Sequence, residues 1–242
     1  VDVVEVAPRL LGRATSERVA QAIADHLINT GVRLHFNQSV ERIVAQEDAV
    51  CGVHLGDKLL PADHVLVGVG AVPMDQLAKD AGLSTDNGVV VDDHMATDDT
   101  DIFAIGDCVS FPQIHLERHV RLESVQNATD QARALALTLT GSPTRFTALP
   151  WFWSDIGALK LQIAGLSDAP DQLMETRDTD GALKSVYHFK HGKLIACETL
   201  NSAGEHMLSR RMIADGFTPD IDIVVDGDAR AMKLAYQDAV KG

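Results

Sequence analysis

The chain has 242 residues, 45% hydrophobic and 23% charged, enough for a sizeable core and close to the average of globular proteins. Thirty-five acidic against 21 basic residues give a net charge of −14, which argues against binding a phosphate backbone and so against a nucleic-acid partner. No run approaches the roughly 18 apolar residues of a membrane span, and the three cysteines, Cys51, Cys108 and Cys197, lack metal-ligand or disulfide-framework spacing; a cytoplasmic protein with no membrane contact and no metal is expected.

The chain opens on Val1 inside an apolar run, VDVVEV, with no basic stretch or cleavage site of a signal peptide, and reads as a piece of a longer protein. The run predicts a strand that stops before Pro8 and carries Glu5 near its carboxyl end. Ser16 is placed to cap a helix over ERVAQAIADHLINTG, with Val19, Ala22, Ile23 and Leu27 on one face and Gly31 as its stop. The apolar period then changes to two: VRLHF, ERIVAQ, AVCGVHL and KLLPADHVLVGVG predict strands separated by polar turns. The last is apolar enough to be buried on both faces.

After Pro73 a short helix over MDQLAKDAG is expected, then a strand in NGVVVDD and a buried strand in TDIFAIGD that ends at Gly106 and Asp107. Ser124 is the natural cap of the Ala-rich run VQNATDQARALALTLTG, closed by Gly141 and Pro143. Beyond Ala148 the texture changes: both tryptophans fall in WFWSD, then come strands LKLQIAGL, QLMETR and SVYHFKHGKLIACETLN and helices EHMLSRRMIAD and DARAMKLAYQDAV. The expected fold is α/β, with partial nucleotide-binding domains followed by a smaller α+β domain.

Two motifs bear on chemistry. Gly68-Val69-Gly70 follows a strand and precedes a helix with Asp92 and Asp93 some way on, as in a dinucleotide turn, but Pro73 stands where the third glycine belongs, and a structural turn is the plainer reading. TDIFAIGD puts the carboxylate of Asp107 at the end of a strand, where open α/β sheets hold ligands; a capping aspartate is the equal alternative.

Five stretches together resemble one family: VEVAPRLLGR (4–13), LPADHVLVGVGAVP (60–73), AGLSTDNGVVVDDHMATDDTDIFAIGDC (81–108), RLESVQNATDQA (121–132) and LPWFWSDIGALKLQIAGLS (149–167). They are similar to the carboxyl-terminal two thirds of FAD-dependent, NADH-oxidising ferredoxin reductases, flavoproteins of glutathione-reductase-like fold that serve bacterial cytochromes P450 and ring-hydroxylating dioxygenases. The resemblance implies three portions: 1–74 from an NAD-binding domain, 75–148 from an FAD-binding domain, and 149–242 as the reductase carboxyl-terminal domain. It implies that Gly106 and Asp107 hold the ribityl chain of FAD, that Val125 offers its backbone N–H to the isoalloxazine, and that Trp153 lies beside the flavin on the side facing an iron–sulfur ferredoxin. Trp151 is read as a core residue of the three-aromatic cluster. Ile156 stands where relatives carry glutamine.

By the same resemblance Glu5 accepts the adenosine ribose hydroxyls of NADH, with Gly70 in the same nucleotide site, and NADH is preferred over NADPH; Arg9 and Arg13 work against that preference. The implied reaction is hydride transfer to flavin followed by two single-electron steps, with no catalytic side chain. Both glycine-rich turns of the family are missing from this sequence, so weak FAD and NADH binding and no activity of the chain alone are expected. A basic docking face for the ferredoxin has candidates in Arg118, Arg121, Lys160, Lys184, Lys190, Lys193, Arg210 and Arg211. Two other readings stand beside this one: a partner-docking module without enzymatic activity, and a pyridine nucleotide-disulfide reductase relative, disfavoured because no histidine follows His206.

Overall fold

A computed structural model describes residues 1–241, which divide into two compact units, Val1–Gly70 and the remainder from Ala71. In the first unit β1 (Asp2–Glu5) pairs in parallel with β2 (Arg33–Phe36), from Asp2↔Arg33 to Glu5↔Phe36. The crossover is α1 (Glu17–Asn29), whose first turn is closed by the Ser16 Oγ accepting the Val19 N–H at 3.3 Å and which buries Val19, Ala20, Ile23 and Ala24. A parallel pair needs such a crossover because no tight turn can return the chain to the same edge. Asp2 accepts from Arg33 Nε and His35 Nε2, both at 2.8 Å, and these two donors, arginine first, hold its carboxyl far below the usual range.

An antiparallel meander follows in the order β3 (Arg42–Gln46), β4 (Ala49–Leu55), β5 (Lys58–Pro61). Val53, Leu55 and Leu60 form its small core, with Val4 and Val65 packed against them. The expected doubly buried strand over 64–70 is not present: the chain there is in no ladder, and Leu66 and Val69 are 98% and 92% exposed. A strand of that composition is stable only with hydrogen-bonded neighbours and a layer on each face. Among the described residues no strand pairs with it.

The second unit begins with α2 (Gln76–Asp80) and a three-stranded sheet in which β6 (Val89–Val90) runs parallel to β7 (Val109–Gln113), itself antiparallel to β8 (Arg118–Val120). The sequence reading placed the buried strand at TDIFAIGD; instead 102–106 makes only an isolated bridge, Ala96↔Phe103, and the ladder partner of β6 comes one turn later, at Val109 and Ser110. The local pattern does not separate the two segments, because both are apolar runs around one glycine turn. α3 (Val125–Leu139) starts where Ser124 Oγ accepts the Asn127 N–H at 3.1 Å. Val91, Met95, Val109, Phe111, Ala134 and Phe146 form the local core, with Phe111 and Phe146 edge to face at 5.3 Å.

A five-stranded antiparallel sheet completes the unit, ordered β11 (Gln172–Arg177), β12 (Leu183–Lys190), β13 (Lys193–Leu200), β10 (Leu159–Gly165), β9 (Trp151–Ile156). Helices α4 (Ala203–Ala214), α5 (Ile221–Val225) and α6 (Ala229–Lys241) carry Met212, Ile213, Val224 and Met232 onto Tyr187, Phe189, Leu194 and Cys197. Mixed α/β segments followed by an antiparallel sheet with helices on it agree with the fold class read from the sequence.

Candidate functional site

The turn after Phe103 and the start of α3 are joined by a buried side chain. Gly106, at φ +86°, donates its backbone N–H to Gln131 Oε1 at 2.7 Å, and a Cβ at Gly106 would come within 3.8 Å of Ala128. The left-handed backbone is what lets the chain turn here, a conformation that glycine takes without cost. Gln131 is fully buried and bonds in turn to Asn127 Oδ1 at 3.5 Å, while Asn127 Nδ2 donates to the Leu122 carbonyl. A polar stripe on the inner face of α3 thus fixes the turn.

Asp107 follows Gly106 with its residue exposed, and its carbonyl accepts from Arg121 Nη1 at 3.2 Å. Arg121 also reaches Asn87 and Glu123, and its side chain is only 12% exposed. It is a clamp between the β6 turn and the 106–108 turn rather than a member of a docking face. Val125 is the first residue of α3 and is 71% exposed. Its N–H and that of Gln126 have no acceptor within the helix, since Ser124 Oγ takes the Asn127 N–H. The turn is thereby brought to the amino-terminal half of α3, where partial positive charge collects.

Trp153 lies in β9, 40% exposed, paired with Gln162, and β9 packs beside α3. Its ring is 5.4 Å from that of Trp151, tilted by 30°. The expected three-aromatic core is corrected here: Phe152 alternates to the other sheet face, and the third ring is His206 of α4, 5.5 Å from Trp151. Trp151 is only partly buried, and Arg210 Cζ lies 4.2 Å over its ring. Burial, with the charge of Arg210, pushes the His206 imidazole down to about 4.

Of the eight candidates for a basic face, Lys193 and Arg211 are exposed, and the other six are engaged within the chain, Arg121 as above. Arg118 and Lys190 converge on Asp168, each at 3.1 Å; Lys160 reaches Asp155 at 4.0 Å; Lys184 pairs with buried Glu205; and Arg210 covers Trp151. With many carboxylates on the chain, a long cation finds a partner at home. Beneath this surface Glu205 also accepts from Ser185 and from Tyr187 Oη, and His188 bridges Ser167 and Glu198.

In the first unit Glu5 ends β1 and accepts the Ala7 N–H at 2.8 Å, which turns the chain toward Pro8. Gly70 is at φ +98°, with Arg13 Nη2 3.8 Å from where its Cβ would be. Arg9 is occupied by the Gly12 carbonyl at 2.9 Å, which leaves Arg13 as the cation beside this turn. Among the described residues no group of histidine, cysteine, aspartate or glutamate is placed to hold a metal. The sequence reading missed Gln131, although Asn127, Gln131 and Ala134 share one helix face at spacing that marks a buried stripe.

Two family models match: pyridine nucleotide-disulphide oxidoreductase over residues 1–132 and reductase C-terminal over 151–235. Rhodocoxin reductase of Rhodococcus erythropolis is 37% identical over all of this chain and 57% of its own length; putidaredoxin reductase of Pseudomonas putida is 34% identical over 93% of this chain and 54% of its own. The crystal structure of a ferredoxin reductase from Rhodopseudomonas palustris superposes with a TM-score of 0.91 at 39% identity, covering 97% of this chain and 58% of that one. The reductase of a covalent putidaredoxin reductase–putidaredoxin complex gives 0.92 at 34%, covering 100% and 58%. The chain therefore spans a little over half the length of the relatives it matches. With the first model covering more than half of its residues and the second nearly all of its carboxyl-terminal sheet and helices, this chain belongs to the pyridine nucleotide-disulphide oxidoreductase family.

Proposed function

We propose that this chain carries part of an FAD-dependent oxidoreductase that takes a hydride from NADH and passes electrons singly to a small iron–sulfur ferredoxin serving a cytochrome P450 or a ring-hydroxylating dioxygenase. The observation that carries the reading is the Gly106 N–H to Gln131 bond, which ties the Asp107 turn to the amino-terminal half of α3, whose first amides have no acceptor within the helix. An exposed carboxylate, a glycine turn and a helix amino terminus suit a polyhydroxy chain ending in an electron-accepting ring. FAD, when bound, supplies the capacity to accept two electrons together and release them one at a time.

The chain's own residues then have defined parts. Asp107 accepts a ribityl hydroxyl. The Val125 and Gln126 amides present the positive end of α3, equivalent to roughly half an elementary charge, to the pyrimidine edge, where it favours the reduced ring. Trp153 screens one side from water. Glu5 accepts the adenosine ribose hydroxyls and repels a 2′-phosphate, which favours NADH over NADPH, and Gly70 lets backbone approach the nucleotide. No side chain acts as general base or nucleophile. We divide the chain into 1–74, 75–148 and 149–242 as NAD-binding, FAD-binding and carboxyl-terminal portions, supported by the change to a purely antiparallel sheet after Pro150. A cytoplasmic location is in keeping with three unpaired cysteines and with the lack of any described helix long and apolar enough to cross a membrane.

Titration of the chain with FAD, read by quenching of its tryptophan emission, tests this. Val125→Pro removes one amide at a helix position that tolerates proline, and Ser124 before it is already extended at φ −154°, ψ 143°. Val125→Pro and Asp107→Ala should each weaken FAD binding by about tenfold, ~1.4 kcal/mol. Saturable quenching that neither substitution changes would overturn the assignment of both residues.

A further inference from the structure

Trp151 has an unusual set of restraints. A buried indole N–H ordinarily donates a hydrogen bond, yet Trp151, itself only partly buried, has its Nε1 buried with no hydrogen-bond partner among the described residues. What touches the ring is planar and comes from two directions. On one side is Trp153, two residues along the same strand face at 5.4 Å. The others come from α4, where His206 and Arg210 stand one turn apart on a single helix face, the imidazole 5.5 Å away and the guanidinium carbon 4.2 Å over the ring. That last distance is well inside the range, about 6 Å, over which a guanidinium and an aromatic face attract.

Arg210 is itself partly withdrawn from water, which penalises its charge, and Asp130 of α3 acts on it in the favourable sense. The neighbouring histidine does not compete for the carboxylate, because burial keeps it neutral down to about pH 4. Neither of its ring nitrogens has a hydrogen-bond partner among the described residues. The cation thus lies over the Trp151 ring and feels the charge of Asp130 of α3.

We propose that Arg210 is a positioning residue: stacked on Trp151, it sets the attitude of the Trp151–Trp153 ring pair and through it the orientation of the half-exposed Trp153 ring. The stacking role stands on contacts within the chain. Its consequence for electron flow rests on the function proposed above, in which Trp153 lies beside the flavin. Lysine does not substitute fully, because its compact charge lacks the flat, delocalised surface of a guanidinium.

The chain has only two tryptophans, so the exciton couplet of its far-ultraviolet circular dichroism reports this one pair directly. Trp153→Phe should abolish the couplet and assign it. Arg210→Met should cut its amplitude by about half or more while the helical bands stay unchanged, and Arg210→Lys should recover part of the loss. A couplet of wild-type size in Arg210→Met overturns the proposal. Should that variant fail to fold, Arg210→Lys decides alone: a diminished couplet supports the stack, and an unchanged one overturns it. None of these readings involves FAD, so failure of the flavin assignment leaves them standing. Where FAD does quench tryptophan emission, Arg210→Met should alter the quenching of Trp153 at saturation with little change in the titration midpoint, separating orientation from binding.

Discussion

His206 offers a test of the packing around Trp151 that needs no ligand. The imidazole is 1% exposed, and burial followed by the positive charge of Arg210 lowers its pKa from 6.5 to about 4. In the unfolded chain the same group protonates near 6.5, so as pH falls the unfolded state takes up a proton before the folded state does. Stability from this group is therefore fully present above about pH 7 and is lost as pH drops from 6.5 to about 4. Each tenfold difference in proton affinity is worth about 1.4 kcal/mol, so the whole loss is about 3 kcal/mol, a large share of the margin by which a domain is folded. Urea unfolding followed by tryptophan emission, at a series of pH values from about 8 down to about 4.5, should show this loss in the wild type. His206→Gln removes the titrating group and leaves every other ionisable side chain in place. The difference in unfolding free energy between the two proteins should be flat above neutrality and shift by about 2 kcal/mol or more by the acid end. Parallel pH profiles for the two would refute the argument, since they would mean that the buried imidazole gains and loses its proton as freely as an exposed one.

Gly88→Ala should be destabilising by about 2 kcal/mol or more and should lower the unfolding midpoint accordingly, because its backbone is at φ +127° and a new Cβ would sit 2.6 Å from the Cys108 carbonyl, forcing β6 and β7 apart. Gln131→Met keeps the helix and the side-chain volume but leaves the Gly106 N–H without its acceptor; it should cost about 1–3 kcal/mol and speed hydrogen exchange at the Gly106 amide ahead of the rest of the unit, and unchanged protection there would show that the turn is held by other contacts.

Much of the local structure was legible because it is closed by partners a few residues apart. Ser16 and Ser124 cap their helices through the third residue on, and α1 buries Val19 and Ile23 on the face that its spacing marked. SVYHFKHGKLIACETLN reads as one β segment, and the structure divides it into β12 and β13 at His191-Gly192, both at positive φ. The turn at Gly106 was also legible from its glycine, and the structure adds Gln131 as the acceptor that holds it.

The readings that failed turned on a distant neighbour. VLVGVG has the composition of a buried strand but is exposed and in no ladder, because composition specifies an appetite for neighbours and not their presence. FAIG and VSFPQ are both apolar, and only the pairing with Val89 and Val90 decided that the second forms the strand. Arg121 and Arg210 read as surface cations and became a clamp and a ring stack, since a long basic side chain takes whichever carboxylate, carbonyl or aromatic face the fold brings within reach. Helix caps and alternation are properties of a short window of chain, so the amino-acid sequence alone determines them. Strand partners, the fate of each charge and the attitude of Trp151 are set by contacts between segments far apart in the chain, and these exist only once the tertiary structure has formed.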